Sequence, residues 1–328
     1  MPGFEWKTAD PESLGLNAER LNELTDSLAR HSTNALLVIR DDHIVQEWYS
    51  PDWSEDKPHY TASLAKAIVG GMSLMLAMDD GLIRPGDPAC RYVPEWRDDP
   101  VKSGITIRHL ATHSSGIEDA ELSKREREEA LARGETLSEH HMHLPGWKGA
   151  FWRQEPDPFP LARDEAPVVF EPGTDFAYSN PGMAMLAYAV TAAIQEGRHR
   201  DIRTLLSERI MKPIGVPDDE WSVGYGKTFE VNGLPLVANW GGGGYTARAV
   251  ARVGRLMMRY GDWEDRQLVR PETVRAVVSR EGTPPAKDLG GRYGVASGLG
   301  WWTAQARSYS ILLPNTFAGA GAGNQHLW

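Results

Sequence analysis

Ser63 and Lys66, three residues apart in Ser63-Leu64-Ala65-Lys66 at the head of the apolar run Leu64 to Met78, offer a nucleophile and a base together. On a helix, positions i and i+3 share a face, so the Lys66 amine can reach the Ser63 oxygen. A partly buried amine gives up its proton readily, and a neutral lysine can then activate a serine for acyl transfer or hydrolysis. The same pair has a plainer reading, with Ser63 as the N-cap of a core helix and Lys66 as a solvated first-turn residue. The spacing recurs in Ser54-Glu55-Asp56-Lys57, but Pro58 pushes Lys57 out of helical geometry, so that copy has no shared face.

A second segment, Phe170-Glu171-Pro172-Gly173-Thr174-Asp175-Phe176-Ala177-Tyr178-Ser179-Asn180, adds weight to the chemical reading. Pro-Gly makes a turn, and the aromatic stretch after it delivers Tyr178 and Asn180. A tyrosine beside a cationic lysine is expected to have a lowered pKa and to share a proton with it, which suits transfer from nucleophile to leaving group. Asn180 can donate to a substrate carbonyl. Taken alone, the segment is equally a surface turn with a half-buried tyrosine.

Serine, lysine and Tyr-x-Asn in this order and at this separation resemble the serine hydrolases related to class C β-lactamases, a superfamily that includes carboxylesterases, D-aminopeptidases and 6-aminohexanoate-dimer hydrolases. The resemblance runs along nearly the whole chain. It also covers Pro11-Glu12-Ser13-Leu14-Gly15-Leu16, the stretch from Thr106 to Ile117, Gly241-Gly242-Gly243-Gly244-Tyr245-Thr246-Ala247-Arg248, and Tyr293 through Trp301. It implies that Ser63 is acylated, that Lys66 and Tyr178 shuttle the proton, and that backbone N–H groups of Ser63 and of a late strand hold the oxyanion. Similarity to the 6-aminohexanoate hydrolase branch places the second donor at the Ala322 amide, within Phe317 to Gln325. Small residues there let a backbone approach the substrate, although the segment also reads as a flexible glycine-rich tail. β-Lactamases of this group carry Lys-Thr-Gly at that motif to bind a carboxylate; this chain has neither lysine nor threonine there, and Lys227-Thr228 elsewhere is followed by Phe229. The loss argues against β-lactams and for neutral esters or amides. Such proteins also continue past this point with further strand and a closing helix, so a truncated chain with an incomplete sheet is one expectation.

At 328 residues and 41% hydrophobic, the chain can build two packed lobes with a sizeable core. A net charge of -10 argues against a nucleic-acid partner, which needs a basic face. The lone cysteine, Cys90, excludes an intramolecular disulfide. The sequence Met1 to Lys7 lacks the pattern of a secretory signal, and no 18-residue apolar run suited to spanning a membrane is evident. These features point to the cytoplasm and away from a cell-wall peptidase.

The elements expected to carry the site are a helix over 17–30, strands over 35–39 and 44–49 joined by a turn at Arg40-Asp41-Asp42, and the nucleophile helix to Met78, stopped at Asp79-Asp80-Gly81. Connections rich in Pro and Gly with helical segments fill 82–230, including a solvated charged helix from Glu121 to Arg133. A helix over 246–260 and strands around Gly298 to Thr303 and Ser308 to Leu313 follow. The fold class is mixed α/β (α+β): one mainly antiparallel sheet from residues 1–80 and 231–328, flanked by helices, with a helical lobe at 81–230, as in β-lactamases and penicillin-binding proteins.

Other candidates are plainer. His140, His141 and His143 lack the spaced partners of a metal site and read as a surface cluster, so neither metal nor cofactor is expected. Gly226-Lys227-Thr228 mimics the tail of a phosphate-binding loop, yet Trp221 stands at its first glycine. No serine lies in a complete Gly-x-Ser-x-Gly elbow. His109 and His113 are implied by the resemblance to be framework residues. Of twelve tryptophans, Trp147 and Trp152 lie before the tyrosine motif and Trp240 precedes the four glycines. Trp152 and Trp240 are candidates to line an apolar substrate pocket, with core packing as the alternative.

The reading is a serine hydrolase forming an acyl-enzyme on a small-molecule substrate, first of all a carboxylesterase on small neutral esters. The alternatives are an amide hydrolase of the 6-aminohexanoate-dimer, D-aminopeptidase or β-lactamase type, and a silent relative used as a scaffold.

Overall fold

The computed structural model of the protein describes residues 4–134, 141–197, 199–284, 295–304 and 315–328. In chain order, β1 (Lys7–Thr8), α1 (Ala18–Ala29), β2 (Ala35–Arg40), β3 (His43–Tyr49) and β4 (His59–Tyr60) lead to the nucleophile segment and α2 (Met72–Asp79). The middle is helical: α3 (Ile107–Ala111), α4 (Lys124–Ala132), α5 (Gly146–Arg153), α6 (Pro158–Pro160), α7 (Asn180–Ile194) and α8 (Ile202–Leu206). Then come the hairpin β5 (Phe229–Val231) and β6 (Leu234–Leu236), β7 (Gly244–Tyr245), α9 (Ala247–Met258), the hairpin β8 (Asp262–Trp263) and β9 (Arg266–Gln267), and α10 (Pro271–Val277). The last strands are β10 (Val295–Ser297), β11 (Trp302–Ala304), β12 (Phe317–Gly321) and β13 (Gln325–Leu327).

Local chemistry explains most boundaries. Asn17 caps α1 by accepting from Arg20 N, Thr246 caps α9 from Ala249 N, and Ser123 with Glu126 forms a reciprocal capping box on α4, the charged helix expected from the sequence. The β2–β3 hairpin pairs Arg40 with His43 across Asp41-Asp42, whose φ values of 49° and 62° suit a two-residue turn matching the strand twist. Helix α2 stops where expected, with Gly81 at φ 75° and Leu82 N donating to Ala77 O at 3.0 Å.

The fold is mixed α/β, with strands drawn from both ends of the sequence. They form two main sheets, β1-β3-β2 and β10-β11-β12-β13, and every pairing in them is antiparallel except β1 with β3. The expected single sheet is thus divided: among the described residues no ladder joins β2 to β13, although α9 packs against both. The strand expected over Ser308 to Leu313 lies outside the described residues. One apolar core runs from Leu64–Ala77 through Met183–Ile194 to Leu299 and Trp301. The 18 residues Ala62–Asp79 are, contrary to the sequence expectation, long and apolar enough to cross a membrane, but 83% of the window is buried in this core. Their apolarity belongs to a central helix packed against α7, α8 and α10.

Candidate active site

The nucleophile turn departs from the plain helix start assumed for Ser63 and Lys66. Ala62–Leu64 form a 3-10 turn, Lys66–Gly71 a π-helical turn, and regular α-helix begins only at Met72. Ala62, immediately before Ser63, has φ 46°, a left-handed conformation costing an alanine about 1–2 kcal/mol. The glycine segment holds this turn from outside. Thr61 Oγ1 donates to Gly242 O at 2.6 Å, Thr61 N donates to Gly243 O at 3.3 Å, and β4 pairs with β7. Serine here is no helix cap, because its oxygen is engaged by other groups.

Lys66 Nζ meets three oxygens: Ser63 Oγ at 3.0 Å, Asn180 Oδ1 at 2.7 Å and Trp240 O at 2.7 Å. The residue is 4% exposed, and burial lowers its pKa to about 7 against the opposing pull of Asp119 and Glu121. Two of the three oxygens can only accept. Trp240 O is a carbonyl, and the Asn180 amide is oriented by Nδ2 donating to Asp119 Oδ1 at 2.9 Å. A neutral amine has two N–H bonds and one lone pair, so with both N–H groups spent on those acceptors the lone pair faces Ser63 Oγ. That is a base aimed at the serine proton.

Tyr178 OH donates to Ser63 Oγ at 2.8 Å from the opposite side, and Lys66 Nζ lies 4.7 Å from its ring centroid. The lowered Tyr178 pKa expected from the sequence is reversed: burial raises it, and the bond to Ser63 opposes this only in part. Desolvation of the phenolate dominates, and the Asp119 and Glu121 charges push the same way. The phenol therefore keeps its proton at rest, and Lys66 is the group able to take one. Ser179 and Asn180 owe their places to a helix start. Ser179 Oγ accepts from Gly182 N at 2.8 Å as the N-cap of α7, with Pro181 in the first turn.

Behind Tyr178 stands His113, with φ 58° and 4% exposed. Its ring lies 4.6 Å from Tyr178 and 6.1 Å from Trp302, and Nδ1 accepts from Ser179 N at 3.2 Å. Burial, with Lys66 nearby, lowers its pKa to about 3, so it is a neutral brace at ordinary pH. The resemblance had implied a framework role for it; it also lines the site cavity.

The cavity, about 330 Å³, opens over Ser63 between Tyr178, Trp302 and the run Ala318 to Ala322. The β11 ladder ends at Ala318, leaving the rest of that edge of β12 beside the cavity. A Cβ on Gly321 would sit 3.0 Å from Ser63 N and 2.8 Å from Leu64 N, so only glycine lets β12 come this close to the nucleophile. Ala322 follows in the turn to β13 and lines the cavity. Lys66 is the one lysine or arginine among the described lining residues.

Three expected substrate contacts fall elsewhere. Asn180 is 1% exposed with both amide ends committed, to Lys66 and to Asp119, so it is placed to orient the base rather than a substrate carbonyl. Trp240 is also 1% exposed, its ring packed 5.0 Å from Phe151 and 5.5 Å from Phe159; only its carbonyl reaches the site. Trp152 lies outside the cavity lining, and its indole N–H donates to Ala120 O at 3.2 Å. Trp301, Trp302 and Trp328 line the cavity instead, and proximity in sequence to a motif gave no sign of which way a ring would turn. In the second Ser-x-x-Lys copy the Lys57 amine donates to Asp52 O at 3.0 Å, and the contact with Ser54 is a backbone one, Lys57 N to Ser54 O at 3.3 Å. His141 stacks 5.3 Å from Trp152, no group of metal-binding residues occurs among the described residues, and His140 lies outside them.

The Beta-lactamase family model matches residues 22–328. The 6-aminohexanoate-dimer hydrolase of Paenarthrobacter ureafaciens is 24% identical over 95% of this chain and 73% of its own length. Among solved structures, a putative β-lactamase from Bacteroides dorei superposes with TM-score 0.66 at 19% identity, covering 93% of this chain and 84% of its own. A family VIII carboxylesterase superposes with TM-score 0.62 at 15% identity, covering 92% and 85%.

Proposed function

The chain belongs to the Beta-lactamase family and is a hydrolase of the serine β-lactamase type, and from that premise we propose that it is a carboxylesterase acting on small neutral esters through an acyl-enzyme at Ser63. The observation carrying the choice of substrate is the cavity wall, where Lys66 is the one lysine or arginine among the described lining residues and is itself engaged by Ser63, Asn180 and Trp240. Among the described lining residues an anionic substrate would find no free lysine or arginine to pair with, whereas a neutral ester can rest against Trp302 and the small residues of β12. Lys66 takes the Ser63 proton as the oxygen attacks the carbonyl carbon. The tetrahedral oxyanion is received by the backbone N–H groups of Ser63 and Ala322. Tyr178, protonated at rest and 2.8 Å from Ser63 Oγ, then gives its proton to the departing alkoxide, and the Lys66 proton restores the phenol. Water repeats the sequence on the acyl-enzyme and frees the acid.

Hydrolysis of a short-chain p-nitrophenyl ester by the native chain and by Ser63→Ala, with a chromogenic cephalosporin in parallel, tests this. Ester turnover that is lost in the variant, with little cephalosporin turnover, is expected. Preferential turnover of the cephalosporin would overturn it. An amide hydrolase is the second reading, favoured by the likeness to the 6-aminohexanoate-dimer hydrolase over 95% of the chain.

A further inference from the structure

Asp119 is a carboxylate beside the site that the reaction scheme above leaves unused. Its Oδ1 accepts three N–H groups: Asn180 N at 2.8 Å, Asn180 Nδ2 at 2.9 Å and Ala120 N at 2.9 Å. An asparagine amide has two orientations, and only one presents oxygen to Lys66. With Nδ2 held by a carboxylate, which cannot donate, the amide has no choice.

The loop bearing Asp119 is itself pinned from α5. Lys148 and Trp152, four residues apart on one face of that helix, reach it together. Trp152 Nε1 donates to Ala120 O at 3.2 Å, while Lys148 Nζ donates to Glu121 O at 3.2 Å and pairs with Glu118 at 3.1 Å and Glu126 at 2.7 Å. On its other side the loop is joined to 167–169 by Glu118 N to Pro167 O at 2.8 Å and Val169 N to Gly116 O at 2.8 Å.

We propose that Asp119 is a positioning residue for the base: it locks the Asn180 amide so that Asn180 Oδ1 takes one Lys66 N–H and the lysine lone pair is left to Ser63. The inference rests on the serine hydrolase reading for its catalytic meaning, not on whether esters or amides are cleaved. Asp119 has a second effect through its charge, which favours the ammonium form of Lys66 and so sets the pH at which the base is released. The groups acting on Lys66 are Tyr178 and His113 on one side and Asp119 and Glu121 on the other. Of these, Tyr178 is bonded to Ser63, and Asp119 is the one bonded to Asn180.

The test uses the full chain labelled with [ε-13C]lysine, native and Asp119→Asn, and follows the Lys66 resonance through a pH titration. It requires no turnover, so it is independent of the substrate question. Removing the charge while keeping an acceptor is expected to move the Lys66 midpoint down by about one pH unit. The rate of Ser63 labelling by a fluorophosphonate should shift its acid limb by the same amount. Asp119→Ala, which also removes the acceptor, is expected to lower the limiting labelling rate about 100-fold, as misplacement of a catalytic group by an ångström does. An unmoved Lys66 midpoint in folded Asp119→Asn would overturn the proposal, as would native limiting rates in Asp119→Ala. A native protein that titrates as expected but resists labelling would instead sink the hydrolase reading and leave the Asp119 result standing.

Discussion

The pH dependence of acylation is the sharpest test of the geometry, because it turns on a single amine. Lys66 works as a base only when neutral, and its pKa of about 7 means that activity rises with pH through neutrality. About a tenth of the amine is neutral at pH 6 and about nine-tenths at pH 8, so kcat/KM should rise roughly tenfold between them and then level off. A lysine at its ordinary value of 10.5 would instead give about a hundredfold rise over the same interval, with no plateau. The neighbours leave this limb nearly clean: Tyr178 is raised, and His113, at about 3, is already neutral. Asp119 gains a proton only below about 6, where loss of the charge that favours the Lys66 ammonium should flatten the limb. The assay is kcat/KM for a short-chain p-nitrophenyl ester from pH 5.5 to 9, with Ser63→Ala as the blank at each pH. A midpoint above 9, or activity that falls between pH 6 and 8, would refute the argument that burial has made Lys66 the base.

Other expectations follow from the same contacts. Tyr178→Phe removes the donor on Ser63 Oγ but leaves Lys66 in place, so kcat/KM should fall by about 10²–10⁴ with the acid limb unmoved; a shifted limb would show that Tyr178 is the titrating base. Gly321→Ala puts a methyl 2.5 Å from Thr61 O and 3.0 Å from Ser63 N, so β12 or the nucleophile turn must move, and kcat should drop about 10²–10³ in a protein whose circular dichroism is unchanged. Trp302→Ala enlarges the cavity and should move preference toward longer acyl chains in an ester series. Trp152→Ala, outside the cavity lining, should leave that ranking alone while lowering kcat through the Asp119 loop. A changed ranking in Trp152→Ala would restore it as a pocket residue.

The residues legible in the sequence were those whose type already fits the chemistry. Ser63 and Lys66 have the right spacing, and Tyr178 stands beside a turn with no packing reason to carry a hydroxyl. What escaped was carried by the backbone or by burial. Trp240 was noticed for its ring, yet its carbonyl is what bonds Lys66, and every residue type has a carbonyl. Asp119 was hidden in an acidic stretch that also supplies the solvated helix α4, and a carboxylate bonded inward looks in sequence like its solvated neighbours. The direction of the Tyr178 shift was misjudged because a charge can be read from sequence while loss of water cannot. For the fold, caps and turns located the β2–β3 hairpin, α1 and α9 to within a residue or two, and α4 to within three. The division into two sheets was not visible, because strand pairing depends on partners far apart in the chain.

The pressing of β12 against the nucleophile turn also sets the order of events in synthesis. Gly321 emerges well after Ser63, and contacts so distant in sequence form slowly. At about 5–20 residues per second, tens of seconds pass before the oxyanion strand exists to be docked. Once Asn180 and Trp240 have been made the serine and its base can assemble without β12, so on the proposed mechanism a ribosome-bound chain carries a nucleophile that cannot yet stabilise a tetrahedral intermediate. On the proposed mechanism the site is armed only when β12 docks, and turnover reports that this contact has formed.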